Sequence, residues 1–221
     1  MRRRNVKNSK QRVENHPELV ILNPKDYKGK WLSLFSNNNP IYLEIGMGKG
    51  KFLLEHAKTN PNINYIGIEK FDSVIVRSIQ KLEELDLPNL KLIRMDALEI
   101  DKVFDNEIDI LYLNFSDPWP KSRHSSRRLT SKIFLDKYEN IFKGNPCIIQ
   151  KTDNRKLFEY SLISYVENNY KIDEISLDLY KDDIKDNIAT EYEKRFVSLG
   201  ERIYMVKVSR HWLYMLNNKK I

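Results

Sequence analysis

The chain contains one cysteine, seven glycines and no apolar run of membrane-spanning length. Because Cys147 is alone, an internal disulfide is excluded, and its apolar surroundings indicate a small core residue in a reducing compartment. A membrane-spanning helix is excluded as well, and the charged N-terminus lacks the apolar core of a secretory signal. His16, His56 and His211 have no cluster of Cys, His or Asp around them. We therefore expect a cytoplasmic protein without a metal site.

The excess of positive charge is small but unevenly distributed. Lys and Arg total 38 against 31 Asp and Glu, which gives a formal net charge of +7. The cations concentrate in two basic segments, one comprising Arg2, Arg3, Arg4, Lys7, Lys10 and Arg12, the other Lys121, Arg123, Arg127 and Arg128. Two such segments on a chain of otherwise mixed charge favour a polyanionic partner, although each is also compatible with a solvated surface.

Short apolar segments alternate between strand-like and helix-like patterns along most of the chain. The strand-like segments are residues 41–45, 65–68, 90–94, 108–115 and 147–149, and helix-like segments 52–58, 74–85, 133–142 and 157–167 separate them. This order predicts a mostly parallel sheet with right-handed crossovers. Two strand-like segments at 172–179 and 202–208, without a clear helix between them, predict an antiparallel pair at the sheet edge. We divide the chain into a basic head, 1–27, and one domain, 28–221.

Polar residues stand at the ends of successive predicted strands, where open α/β sheets bind their ligands. A turn containing Gly46 and Gly48 follows Glu44, but its G-x-G-x-G spacing matches neither the dinucleotide fingerprint nor a P-loop. A carboxylate at Glu44 suits an ammonium or sulfonium, Glu69 suits a ribose diol, and Asp96 suits an adenine amino group. Each acid alone is equally explained as a helix cap. The three at successive strand ends together favour S-adenosylmethionine.

The segment after residues 108–115 combines an acid, a large ring and cations. Asp117 lies at the predicted strand end, Trp119 follows between two prolines, and Lys121 opens the second basic segment. A site that modifies nucleic acid requires a carboxylate to bind a base edge, a ring for stacking and cations for phosphates. Trp119 is either a stacking surface or a packing anchor for the loop. His124 is expected to face RNA rather than to act as a catalyst.

These motifs together resemble the bacterial tRNA (guanine-N7-)-methyltransferase family over essentially the whole chain. The resemblance is carried by Glu44-Ile45-Gly46-x-Gly48-Lys49-Gly50, Gly67-Ile68-Glu69, Asp96-Ala97, Asn114-Phe115-Ser116-Asp117-Pro118-Trp119-Pro120-Lys121 and Thr190-x-Tyr192-Glu193. It implies a Rossmann-like class I methyltransferase, with a mostly parallel seven-stranded sheet, helices on both faces and an antiparallel C-terminal strand pair. It also implies methyl transfer from S-adenosylmethionine to N7 of a guanosine in the variable loop of tRNA.

The resemblance further implies roles for individual residues. Cofactor contacts fall on Glu44, Gly46, Gly48, Glu69, Asp96 and Asp117, and Asp117 is also the catalytic position. Substrate contacts fall on Lys121, Asp153, Thr190, Glu191, Tyr192 and Glu193, and RNA contacts on Arg123, His124, Arg127 and Arg128. Among these we expect Asp153 and Glu193 to read the guanine edge or to belong to a closing loop. Serines at 122, 125 and 126 make the second basic segment less charged than is usual in the family.

Two other functions are compatible with parts of the pattern. An amino-methyltransferase that acts on adenine or on protein glutamine also carries a Pro-Pro-aromatic string after its fourth strand, but here Trp119 replaces the second proline. A non-catalytic RNA-binding protein that has lost its cofactor is the other alternative. Retention of all three strand-end acids and the glycine turn opposes that alternative. The sequence leaves open whether the protein is a monomer or a homodimer.

Overall fold

The computed structural model describes residues 6–83, 85–182, 184 and 187–210. Three arginines of the basic head, at positions 2–4, and His211 lie outside these ranges. Among the described residues, no helix has the length and apolar character needed to cross a membrane.

One mixed sheet organises the described chain. Its strands are β1 (Val20–Ile21), β2 (Ile41–Ile45), β3 (Asn64–Glu69), β4 (Leu90–Arg94), β5 (Ile110–Asn114), β6 (Cys147–Thr152), β7 (Lys171–Ser176) and β8 (Tyr204–Ser209). Their spatial order is β1-β4-β3-β2-β5-β6-β8-β7. Strands β1 to β6 pair in parallel, whereas β8 runs antiparallel to both β6 and β7. The predicted parallel sheet with an antiparallel C-terminal pair is thereby confirmed.

Within the described ranges, six α-helices accompany the sheet: α1 (Ser9–Glu14), α2 (Lys51–Thr59), α3 (Asp72–Leu82), α4 (Lys132–Tyr138), α5 (Arg155–Glu167) and α6 (Glu191–Ser198). Side chains alternate across each strand, so that Leu43 and Ile45 enter one apolar core and Tyr42 faces the other. Helices α4 and α5 contribute to the first core, and α2 and α3 contribute to the second. The helices therefore cover both faces of the sheet, as the sequence predicts.

The described part of the head packs on the same sheet. Strand β1 pairs in parallel with β4, with Val20 opposite Leu92, and it makes the sheet eight-stranded rather than seven-stranded. Helix α1 contacts α3, and its Val13 is buried in the second core. Residues 6–27 thus contribute to the packing of the domain, and the division after residue 27 stays a prediction.

Helix α6 lies between β7 and β8 along the chain, where the sequence predicts no clear helix. Its sequence, EYEKRFVS, is short and mostly polar, with Tyr192, Phe196 and Val197 as its apolar residues. The helix begins with a capping box, in which Thr190 and Glu193 satisfy each other's backbone N–H groups. The T-x-x-E spacing was the signal available in the sequence.

Candidate active site

The carboxyl ends of β2 to β5 open onto one cleft with a volume of about 940 Å³. The glycine turn, the ends of β3 and β4 and the loop after β5 line this cleft, with residues that include Gly46, Gly48, Glu69, Asp96, Asp117, Trp119 and Arg127. Parallel strands bring their carboxyl ends to one edge of the sheet, and the crevice there is the usual ligand site of open α/β sheets. The structure therefore brings together most of the predicted cofactor positions.

The glycine turn connects β2 to α2 with its backbone facing the cleft. Gly46 and Gly48 have φ angles of 77° and 58°, in the left-handed region that residues with a β-carbon rarely adopt. The N–H groups of Gly46 and Met47 donate to the carbonyl oxygen of Ile68 at 2.8 and 3.1 Å, which fixes the turn against β3. A β-carbon built on either glycine meets no atom within 4 Å. The space beside the turn is therefore open to a ligand.

Glu44 lies at the end of β2 and is only 2% exposed. Its Oε1 accepts a hydrogen bond from Asn114 Nδ2 at 2.8 Å, whereas its Oε2 is buried without a hydrogen-bond partner among the described residues. Burial raises the pKa of Glu44 to about 7, although Asn114 and the ammonium of Lys151 oppose the shift. A buried acceptor without a donor is costly. This oxygen suits a ligand that brings a donor or a positive charge.

Glu69 and Asp96 follow at the ends of β3 and β4, and both also stabilise backbone groups. Glu69 Oε1 accepts from the N–H groups of Lys70 and Phe71 at 2.9 and 3.1 Å. Asp96 Oδ1 accepts from the N–H of Leu98 at 3.0 Å, and its Oδ2 lies 2.6 Å from the Lys70 ammonium. Burial alone raises the pKa of Asp96, but Lys70 and the Leu98 N–H lower it below its ordinary value overall. Each of these two carboxylates therefore both accepts hydrogen bonds from backbone N–H groups and lines the cleft.

The loop after β5 is held in an unusual backbone conformation. Phe115 and Trp119 have φ angles of 51° and 41°, which cost energy in residues with a β-carbon. The N–H of Phe115 donates to the carbonyl of Lys151 at 2.8 Å. Arg128 donates to the carbonyls of Pro118 and Trp119 at 3.1 and 3.0 Å. Surrounding contacts thus enforce the conformation, as is common at functional sites.

Asp117 lies between these two strained residues and lines the cleft. Its side chain is exposed, and it forms no hydrogen bond or ion pair with the residues that the structure describes. The carboxylates of Glu44, Glu69 and Asp96 each have such a partner. Asp117 is therefore the cleft acid whose oxygens are both available to a substrate.

The second basic segment has two kinds of arginine. Lys121, Arg123 and Arg127 are exposed, and the guanidinium carbon of Arg127 lies 4.9 Å from the Trp119 ring centroid. Arg128 points inward, because it bonds the loop carbonyls and stacks 4.2 Å from the centroid of the Tyr160 ring. The predicted RNA contact of Arg128 stays a prediction, but the structure adds a role in shaping the loop.

The contacts of Glu193 do not favour the base-reading role predicted for it. This carboxylate is fully buried, with 0% exposure, in α6. It accepts hydrogen bonds from Lys151 Nζ at 2.8 Å, Asn187 Nδ2 at 2.7 Å and Tyr180 Oη at 3.1 Å, and from the Thr190 N–H at 3.3 Å. With these donors in place, Glu193 anchors the segment around α6. Among the two predicted edge readers, the half-buried Asp153 is the accessible one.

Lys151 was missed as a site residue in the sequence analysis. It is the penultimate residue of β6 and only 4% exposed. Its ammonium donates to Asn187 Oδ1 at 3.0 Å, the Ile188 carbonyl at 3.1 Å and Glu193 Oε2 at 2.8 Å. A lysine at the end of a buried strand is rarely left without an acidic partner. That rule was the available signal, but the sequence could not identify the partner 42 residues away.

Glu191 connects α6 to the opposite side of the cleft. Its two oxygens lie 3.0 Å from the ammonium of Lys49 in the glycine turn and 2.6 Å from that of Lys81 in α3. Burial raises the pKa of Glu191, but the two ammonium groups outweigh it and hold the pKa below its ordinary value. The residue between the two anchors, Tyr192, stays 42% exposed and lies beside Asp153, with Oη and Oδ2 separated by 3.4 Å.

Comparisons with known proteins identify relatives of the chain. A family model described as "Putative methyltransferase" matches residues 38–206. The chain is 51% identical over 208 residues to a tRNA (guanine-N(7)-)-methyltransferase of Bacillus cytotoxicus, covering 94% of this chain and 96% of that protein. It is 48% identical over 210 residues to the enzyme of that name from Streptococcus sanguinis, covering 95% and 99%. A solved structure of an antibiotic-related methyltransferase shares the fold at 18% identity, with a TM-score of 0.61 over 85% of this chain and 94% of that one.

Proposed function

The chain belongs to the tRNA (guanine-N7-)-methyltransferase family, and we propose that it transfers a methyl group from S-adenosylmethionine to N7 of a guanosine in the variable loop of tRNA. The observation that carries this proposal is the cleft at the strand ends, where Asp117 is exposed beside the glycine turn and the two strand-end acids. A cationic ligand and a base can meet at this position.

The residues present fit S-adenosylmethionine. Glu44 Oε2, buried without a partner among the described residues, suits the ammonium of the amino acid part. Glu69 and Asp96 provide acceptors at the next two strand ends for a ribose diol and an adenine amino group. Gly46 and Gly48 leave open space for the ligand against the backbone. When bound, S-adenosylmethionine supplies a methyl group on a positively charged sulfur.

The chemistry of N7 decides what Asp117 does. This nitrogen carries an in-plane lone pair and no proton, so the attacking atom needs no general base. Positive charge moves onto the imidazole ring of guanine as the methyl group arrives. A fixed carboxylate beside that ring stabilises the developing charge, and it also holds the base in line for transfer. Asp117 therefore acts as an electrostatic and orienting catalytic residue, and Asp153 accepts from the N1–H and N2–H₂ edge.

The binding of tRNA follows from charge and shape. The exposed cations Lys121, Arg123 and Arg127, with His124, contact phosphates next to the cleft. Such contacts fix the position of the RNA without reading its sequence, and the access of the variable-loop guanosine to the cleft then provides selectivity. Thr190, Glu191 and Tyr192 lie at the start of α6, on the side of the cleft where the tRNA binds. The protein acts in the cytoplasm, as a monomer or a homodimer.

Methylation of unmodified tRNA with labelled S-adenosylmethionine, followed by nucleoside analysis, tests the proposal. We expect 7-methylguanosine, and sequencing of the RNA should locate it in the variable loop. The Asp117→Ala variant should keep the fold and the affinity for cofactor but lose nearly all turnover. A different methylated nucleoside, or full turnover of Asp117→Ala, contradicts the proposal. Absence of cofactor binding in calorimetry would instead favour a non-catalytic RNA-binding protein.

A further inference from the structure

Two aromatic rings lie against each other at the border of the cleft, and one of them, Tyr192, belongs to the segment predicted to contact the substrate. Phe115 lines the cleft, and its ring centroid lies 4.9 Å from that of Tyr192, with an interplanar angle of 40°. We propose that this aromatic pair is the surface on which the target guanine stacks while its N7 reacts. The inference rests on the proposed function and adds two specificity-determining residues that contact the target base.

The backbone of Phe115 supports the proposal. A φ of 51° is unfavourable for a phenylalanine, whereas glycine or asparagine adopts it at lower cost. The Phe115 N–H donates to the Lys151 carbonyl at 2.8 Å, so the strand end holds the residue in this conformation. Backbone strain that the surroundings maintain is characteristic of positions with a function. What phenylalanine adds here is a ring at the wall of the cleft.

Tyr192 is supported firmly and is still exposed. Its ring stacks on Phe196 with centroids 4.1 Å apart and an interplanar angle of 16°. The neighbouring residues Glu191 and Glu193 are fixed by ion pairs to lysines of the glycine turn, α3 and β6. Nevertheless 42% of Tyr192 is exposed. A large ring on a rigid support binds a base with little loss of conformational entropy.

Each ring of the pair is close to one of the carboxylates assigned to the base. Asp117 follows Phe115 by two residues, and Asp153 lies 3.4 Å from the Tyr192 hydroxyl. A purine stacked on the pair is therefore close to both the charge-stabilising acid and the edge-reading acid. Stacking on aromatic rings is how proteins commonly hold bases that have left their RNA stack.

Trp119 is the competing candidate in the same loop, and its contacts favour packing. The guanidinium of Arg127 lies over its ring, 4.9 Å from the centroid, and the His124 ring meets it edge-on at 5.7 Å. Arg128 holds its carbonyl at 3.0 Å. Trp119 is also less exposed than Tyr192, and the stacking role belongs to the Phe115–Tyr192 pair.

The test compares two tRNA transcripts, one with the target guanosine and one with an abasic nucleotide there, at one salt concentration. We expect the wild-type protein to bind the abasic RNA about tenfold more weakly, since stacking of a base contributes an effect of this size. Phe115→Leu and Tyr192→Leu should bind both RNAs alike, at the abasic level. Tyr192→Phe keeps the ring, and Trp119→Leu removes the competing one, so both should retain the tenfold difference. Circular dichroism and calorimetry with S-adenosylmethionine check that each variant is folded.

The outcomes separate this inference from the proposed function. If the wild-type protein forms 7-methylguanosine but Phe115→Leu and Tyr192→Leu both keep the tenfold difference, the stacking surface is elsewhere. Loss of the difference in Trp119→Leu alone assigns stacking to Trp119 and overturns the proposal. A wild-type protein that binds both RNAs equally also overturns it. Failure of the proposed function shows differently, as absence of 7-methylguanosine from the wild-type reaction.

Discussion

The ammonium of Lys151 lies 2.8 Å from Glu193 Oε2, with both side chains almost closed to solvent at 5% and 0% exposure. The pair joins the end of β6 to the first turn of α6. Asp153 follows β6, and Tyr192 lies within that turn. The positions of these two predicted substrate contacts therefore depend on the buried ion pair. Removal of one partner of such a pair leaves an uncompensated charge in the protein interior.

Lys151→Met should therefore destabilise the protein by about 3 kcal/mol, because it removes the cation beside the buried Glu193 carboxylate. Adding Glu193→Gln should recover at least half of that loss, since the neutral amide still accepts from the Thr190 N–H. Urea unfolding of the two single variants and the double variant measures the three free energies. Strictly additive losses in the double variant contradict a coupled pair.

Glu191 should matter more for activity than for stability. Its side chain and those of its partners, Lys49 and Lys81, are more than a third exposed, so Glu191→Gln should cost at most about 1 kcal/mol in unfolding. Its loss frees α6 from the glycine turn, and we expect the KM for tRNA to rise by about fivefold, a coupling of ordinary size.

Two further variants control the Glu191 prediction. Lys81→Met removes a partner that does not line the cleft and should raise the KM in the same direction, without adding fully to Glu191→Gln. Glu159→Gln removes an exposed pair with Arg155 on α5 and should leave the KM unchanged. An unchanged KM in Glu191→Gln means that the ion pairs do not position α6.

The buried carboxylate of Glu44 should make stability depend on pH. Its pKa is raised from 4.5 to about 7, so the folded state holds this proton more tightly than the unfolded state does. Stability should therefore fall as pH rises from about 4.5 to about 7, by about 3 kcal/mol from this group alone. Glu44→Gln, which stays neutral, should remove that part of the fall. Urea unfolding at pH 5 and pH 8 compares the two proteins, and parallel pH profiles contradict the assignment.

The same carboxylate should couple cofactor binding to a proton. An ammonium beside Glu44 Oε2 favours the ionised form, so binding near pH 6 should release a proton and weaken as pH falls. Calorimetry in two buffers with different ionisation enthalpies measures that proton. The proton release should vanish in Glu44→Gln. Equal proton release by both proteins places its source elsewhere.

Replacement by alanine should mainly affect tRNA binding at Arg127 and mainly affect kcat at Arg128. Arg127 is exposed, so its loss should weaken tRNA binding and lower the slope of log K against log salt by about one. Arg128→Ala releases the Pro118 and Trp119 carbonyls, so its main effect should be a lower kcat. Lys58→Ala, at the exposed end of α2 far from the strand ends, is the matched control for salt dependence. An unchanged slope in Arg127→Ala means that this arginine does not contact phosphate.

The sequence predicted the strands that position the cleft because their apolar residues are nearly continuous. Strand β4 begins and ends at the predicted residues, 90 and 94, and the acids at the ends of β2, β3 and β4 lie at one edge of the sheet, with Glu69 and Asp96 in the lining of the cleft. Hydrophobic pattern and the rule for parallel strands are sufficient for this part.

The position of α6 beside the cleft was harder to predict because ion pairs between residues far apart in the sequence define it. The bond between Lys151 and Glu193 spans 42 residues, and that between Lys81 and Glu191 spans 110. No local pattern encodes such partners. The polar helix α6 and the two-residue strand β1 were also missed, because both depend on tertiary contacts more than on a hydrophobic repeat.

Methyl transfer to N7 of guanine, with Asp117 stabilising the developing charge, is the reaction that we propose for this site. The most direct measurement is methyl transfer to two tRNA transcripts, one with guanosine and one with 7-deazaguanosine at the target position. The second transcript carries a C–H in place of N7 and offers no lone pair. We predict that both bind equally well and that only the guanosine transcript accepts a methyl group. Methylation of the 7-deazaguanosine transcript at that nucleotide contradicts the account.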